Sequence, residues 1–121
     1  MIVAGFGFRS GASLASLRGA FALAQQDRPA VTHLATAQDK LPALAALSEA
    51  LGLPLMGLPP ELLAKVSTVT RSSASQTARN TGSVAEASAL AAAGVGARLL
   101  TPRHISPDRM ATCAIAQGTS T

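Results

Sequence analysis

Three features of this sequence predict a layered α/β domain. The apolar run Ile2–Phe6 ends in glycines. Leucine-rich stripes at helical spacing alternate with short runs of strand type. Two apolar segments then follow one another closely near the end. The order strand–helix–strand–helix–strand–helix–helix–strand–strand predicts a single three-layer domain over residues 1–116. Its sheet is mixed, of about five strands and mostly parallel. The last two strands leave no room for a crossover helix, so they form an antiparallel C-terminal pair. Residues 117–121 read as a frayed tail.

Each element has its own signal. Ile2–Phe6 is read as a fully buried strand, and Phe6 and Phe8 are expected on opposite faces with at least one in the core. A helix begins at Ser10 or Ser13, with Leu14, Leu17, Phe21 and Ala24 on its apolar face, and ends at Asp27–Pro29. "AVTHLAT" (30–36) is β-branched and forms the second strand. Asp39 is the expected N-cap of a second helix, Pro42 lies in its first turn, and Leu44, Leu47 and Leu51 form its stripe before Gly52. "LPLMGL" (53–58) is a short strand, and "PPELLAKV" (59–66) gives a helical turn or two. Residues 67–83 are polar, with one candidate strand near Val69, and read as a long loop of lid or binding type. Ser83 and Glu86 match the S-x-x-E capping box that starts the next helix, and Gly94 ends it. "ARLLTP" (97–102) and "MATCAIAQ" (110–117) are the final strands, with His104 in the loop between them.

Composition narrows the function. Hydrophobic residues are 48% of the 121, enough for one core, although many are alanines that bury little area each. Aromatics are 2%, too few for the base-stacking platforms of single-stranded nucleic acid binders. Lys+Arg number 10 against 6 Asp+Glu, and the arginines are dispersed, which argues against a nucleic-acid patch. Dispersed guanidinium groups suit a small molecule with several carboxylates or phosphates, and otherwise a solvated surface. The lone Cys113 and the lack of a basic leader point to a cytoplasmic protein, and no apolar run is long enough to span a membrane.

The most informative stretch is "GFGFRSGAS". Gly5, Gly7 and Gly11 give G-x-G-x-x-x-G, one place off the dinucleotide fingerprint, and Thr36 stands where that fold wants an acid. The glycines therefore serve either close packing or a turn whose bare N–H groups meet an anion. Cys113 is expected buried and inert. One Cys and two distant His make no metal set, and no cofactor is indicated.

In motif order the chain resembles the CobE / CbiG C-terminal domain family of cobalamin biosynthesis. The resemblance runs through "GFGFRSGAS", "LATAQDK", "LSEALGLPL", "PPELLA", "TGSVAEASAL" and "ATCAIA", nearly end to end. It implies a corrin or precorrin ligand bearing many carboxylate arms. It also implies ligand contacts from Gly5, Gly7, Arg9, Ser10 and Gly11 in the first turn, Thr36 and Lys40 in the second, and Thr81, Gly82 and Ser83 in the third. Family members of CbiG type open a precorrin lactone and release a two-carbon fragment. On that reading His104, Lys40 or Glu86 would be the catalytic base. The chain resembles the stand-alone CobE type, for which a binding protein, carrier or chaperone serving other cobalamin-pathway enzymes is the first expectation. The hydrolase is the second, and a nucleotide-binding or purely structural α/β module the third. Oligomeric state stays open.

Overall fold

The computed structural model describes residues 1–9, 11–26, 30–59, 61–63, 81–94 and 96–118. Strand β1 spans Ile2–Phe8, helix α1 Leu14–Gln25 and strand β2 His33–Ala37. A 3-10 turn at Gln38–Lys40 leads into α2, Leu41–Leu51, and strand β3 is Leu55–Leu58. Helix α3 covers Thr81–Ala93, and strands β4 (Arg98–Ile105) and β5 (Ala111–Gln117) close the chain. The five strands lie in the order β3-β2-β1-β5-β4. β1, β2 and β3 are mutually parallel, while β5 is antiparallel to both β1 and β4. The expected mixed sheet, parallel first and antiparallel last, is the one observed. No helix among the described residues is long and apolar enough to cross a membrane.

Period-two alternation along β1 divides the core. Ile2, Ala4, Phe6 and Phe8 face α1 and α2, where they meet Leu17, Ala20, Ala24, Leu44 and Leu47. Phe6 and Phe8 therefore share a face, contrary to expectation, because residues two apart in a strand always do. Phe6 stacks on Phe21 of α1 with ring centroids 6.3 Å apart. Val3 faces the other way, into a cluster with Ala35, Leu58 and Ala92 of α3. Three layers result, with α1 and α2 below the sheet and α3 above it.

Gly5 explains how α3 sits so low. A Cβ at this position would lie 2.2 Å from the Ala85 carbonyl oxygen and 2.5 Å from the Ala89 nitrogen. Alanines on α3 and a bare glycine on β1 let the two backbones touch.

Several boundaries moved. β1 runs through Gly7 to Phe8, so these glycines lie in the strand and the turn follows them. Ser13 caps α1, accepting the Ser16 amide at 3.1 Å. Leu14 is 38% exposed, and Ser16 and Ala20 take its place on the buried face with Leu17 and Ala24. Lys40, rather than Asp39, occupies the cap position of α2, and it makes no side-chain cap bond. Gly52 ends α2 in the left-handed region.

α3 begins at Thr81, which places Ser83 inside the helix and removes the capping box. Glu86 instead turns to β4. It accepts the Arg103 amide at 3.2 Å and pairs with its guanidinium at 3.8 Å. β4 is longer than expected and includes Arg103 and His104, because two register shifts let the strand continue past Pro102. β5 includes Gln117, and the Gly118 amide donates to the Met1 carbonyl at 2.9 Å, so the fold extends beyond residue 116. Residues 61–63 are helical. The rest of the expected 59–66 turn, the candidate strand near Val69 and most of the 67–83 loop lie outside the described residues.

Candidate functional site

The carboxyl ends of parallel strands are where an α/β sheet presents loops and helix starts to one edge. Here β1 ends at Phe8 and β2 at Ala37. Past β1 the chain turns at Gly11, whose φ of +91 lies in the region that favours glycine, and the Ala12 amide donates back to the Arg9 carbonyl at 3.0 Å. Past β2 the 3-10 turn brings Asp39 and Lys40 alongside. Between the two turns lies a cleft of about 260 Å³, lined by Phe8, Arg9, Gly11, Ala12, Asp39, Lys40, Pro42 and Ala43.

The cleft joins one apolar wall to two cations. Phe8 is nearly buried and presents its ring, with the Lys40 ammonium 5.4 Å from the ring centroid. A cation held over a ring face gains about 0.5–1 kcal/mol at an exposed site and stays available to an incoming anion. Arg9 is exposed on the opposite turn. Asp39 offsets one of these charges, so the described side chains of the cleft carry a net +1. The start of α2 lies at the same cleft without a side-chain cap, but the 3-10 turn already takes the Leu41 amide to the Gln38 carbonyl and Pro42 has none to offer.

The start of α1 is already filled. Ser16 Oγ donates to Asp108 Oδ2, and the Ser106 hydroxyl donates to Asp108 Oδ1 at 2.6 Å. The Met110 amide adds a bond to that oxygen at 3.1 Å. The Ser106 hydroxyl, then the Ser16 hydroxyl, then the Met110 amide hold the Asp108 carboxyl below its ordinary pKa. This network fastens the β4–β5 turn onto α1. The sequence reading missed Asp108, although S-P-D in a connection is a turn-forming signal.

The predicted site residues fall into groups. Arg9, Gly11 and Lys40 meet in the cleft. Gly7 lies in β1, where its carbonyl accepts the Thr112 hydroxyl at 3.2 Å. Gly5 is covered by α3. Thr36 is wholly buried, and its hydroxyl donates to the Phe6 carbonyl at 2.9 Å. Thr81, Gly82 and Ser83 begin α3, at the same edge of the sheet but over its other face. Ser10 lies outside the described residues. Lys40 stands apart from the other two candidate bases. Lys40 is in the cleft, Glu86 is paired with Arg103 on the α3 face, and His104 lies on the edge strand β4 with Nε2 2.8 Å from Thr101 Oγ1. Three strand spacings separate β4 from β2, about 14 Å. Cys113 is buried, and burial pushes its thiol well up. Phe8, Asp39 and Pro42 line the cleft although none of them was among the expected ligand contacts.

The fold and cleft define an open α/β protein with a cationic pocket at the carboxyl edge of its sheet. The chain belongs to the family described as cobalamin synthesis G C-terminus, whose model matches residues 2–116. Among solved structures it is similar to cobalamin biosynthesis protein chiG from Agrobacterium tumefaciens, at 35% identity over 99% of this chain and 100% of that one, with a TM-score of 0.78. CobE, a protein of the cobalamin (vitamin B12) biosynthetic pathway, is 30% identical over 96% of this chain and 89% of its own, with a TM-score of 0.76. A cobalamin biosynthesis protein G homolog from Sulfolobus solfataricus shares the fold at 18% identity and a TM-score of 0.73, with 36% of its longer chain covered. No curated protein matches.

Proposed function

We propose that this chain binds a corrin or precorrin intermediate through its carboxylate arms and carries it between enzymes of cobalamin biosynthesis. The observation behind this reading is the convergence of Arg9 and Lys40, from two separate turns, on one cleft. Whole small ligands commonly fill about 300–1,000 Å³. A cleft of about 260 Å³ suits one or two acetate or propionate arms, with the macrocycle lying across its mouth. The Phe8 ring gives the arm's methylene groups an apolar wall. The carrier role needs only this cleft, whereas hydrolysis would need a base and an oxyanion site close together, and of the three candidate bases Lys40 alone lines the cleft.

The test is a visible-absorbance titration with cobyrinic acid, a corrin whose arms are free carboxylates, set beside cyanocobalamin, whose arms are amides. Saturable binding of the acid and much weaker binding of the amide are expected. Arg9→Ala and Lys40→Ala should each weaken the acid about tenfold, as loss of one partly solvated charge-assisted contact does, and should leave the melting temperature within a degree or so. The proposal is overturned if the native protein gives no saturable change, or if both variants bind as the native protein does.

A further inference from the structure

Arg109 is the described residue whose backbone does not suit its side chain. It is the non-glycine residue with positive φ, at 63°. The β4–β5 connection explains the geometry. The Ser106 amide donates to Ala111 O at 2.8 Å, and the Arg109 amide donates to Ser106 O at 2.8 Å. Pro107 and Asp108 are the central residues of a turn closed by that second bond, and the left-handed Arg109 follows them in a four-residue loop, 107–110, between the paired Ser106 and Ala111. Glycine adopts that conformation freely, while an L side chain there costs free energy. Strain that persists in a tightly built turn is a pointer to function. Here the turn is over-determined by Asp108, which binds Ser106, Met110 and Ser16 together.

The turn also stands beside the cleft. The Met110 carbonyl accepts the Arg9 amide at 2.9 Å, and the Met110 Cε is 4.0 Å from where a Cβ of Gly11 would lie. Arg109, the chain neighbour of Met110, is exposed. Asp39 offsets one of the two cleft cations, so a further guanidinium is what a ligand with several acidic arms would need.

We propose that Arg109 is a third anion-binding residue, held at the cleft rim by the Asp108-fastened turn so that its guanidinium meets a second carboxylate of the same corrin. This rests on the reading of the cleft given above. Asp108 is then a positioning residue, since it acts through the turn and touches no ligand.

The test pairs stability with affinity in Arg109→Gly and Arg109→Lys, titrated with cobyrinic acid. Arg109→Gly should raise the unfolding midpoint by a few degrees, because glycine relieves the backbone, and should weaken binding about tenfold. Arg109→Lys keeps the strain and the charge, so its midpoint should not move and its affinity should fall no more than about threefold. Arg109→Gly binding as the native protein does, or melting lower, overturns the proposal while leaving the cleft reading intact, provided Arg9→Ala still binds weakly. A native protein that fails to bind overturns both.

Discussion

Gly5→Ala tests whether the first glycine of the G-x-G run serves packing or ligand. The added Cβ would lie 2.2 Å from Ala85 O, 2.5 Å from Ala89 N and 2.9 Å from Ala89 Cβ, where ordinary contact begins at 3.4 Å. Two of these atoms are backbone and the third is an alanine methyl, so no side chain can rotate away. α3 must retreat by about 1 Å, and overpacking of this type costs about 3 kcal/mol. Alanine recovers about 0.5–1 kcal/mol by restricting the unfolded chain. The net loss is about 2–2.5 kcal/mol, a large part of the roughly 5–15 kcal/mol that holds a domain together. Urea unfolding should show it as a midpoint lowered by about 1–2 M, given ordinary slopes. Gly52→Ala is the control. It has nothing within 4 Å and a φ of 68, so only the backbone cost of about 1 kcal/mol applies. Adding Ala89→Gly should not rescue Gly5→Ala, because the nearest clash is with Ala85 O. Equal losses at Gly5 and Gly52, or a rescue by Ala89→Gly, would refute the steric argument.

Asp108→Asn should flatten the acid limb of the stability curve. The carboxyl is held below its ordinary pKa in the fold, so its contribution is complete above the unfolded value of about 3.9 and fades as pH falls through the lowered one. Native and variant should therefore differ at pH 6 and converge toward pH 2 in thermal melts, and a gap that widens with acid would contradict the sign. Ser88→Ala should leave stability unchanged or raise it by up to about 1 kcal/mol, since the buried Ser88 hydroxyl has no partner among the described residues and alanine is the better helix former. A loss above about 1 kcal/mol in chemical denaturation would mean that the hydroxyl has a partner after all.

Local patterns made the fold legible and left the tertiary choices open. Alternating stripes and runs gave the element order, and the short interval between the last two segments gave their antiparallel pairing. The same signals misplaced Glu86. S-x-x-E fits a capping box by spacing, yet Arg103, 17 residues away, takes the carboxylate. Pro102 suggested the end of a strand, but β4 lies at the sheet edge and carries register shifts, where proline is tolerated. Of the site, Arg9, Gly11 and Lys40 were readable because they stand just beyond strands. Gly5 was ambiguous because the demand for a missing Cβ comes from α3, about 80 residues on. Asp108 and Arg109 were hidden for a similar reason. Their meaning depends on Ser16 and Arg9, which the sheet brings to them from the other end of the chain.

The idea that several helix starts gather round one anion is too simple for this edge of the sheet. α1 has its own Ser13 cap and the Asp108 carboxylate, so little of its positive end is left for a ligand. α3 starts over the opposite face. α2 begins at the cleft with no side-chain cap, but Leu41 already donates to the Gln38 carbonyl and Pro42 has no amide, so little of this end is free either. On the proposed reading, attraction for a polyacid falls on Arg9, Lys40 and Arg109. Exposed cations attract from a distance and are screened by salt, whereas a closed nest of amides is not. An affinity built this way should be tunable and quickly reversible, which is what the proposed carrier role asks for and what a site that holds its ligand through a reaction does not.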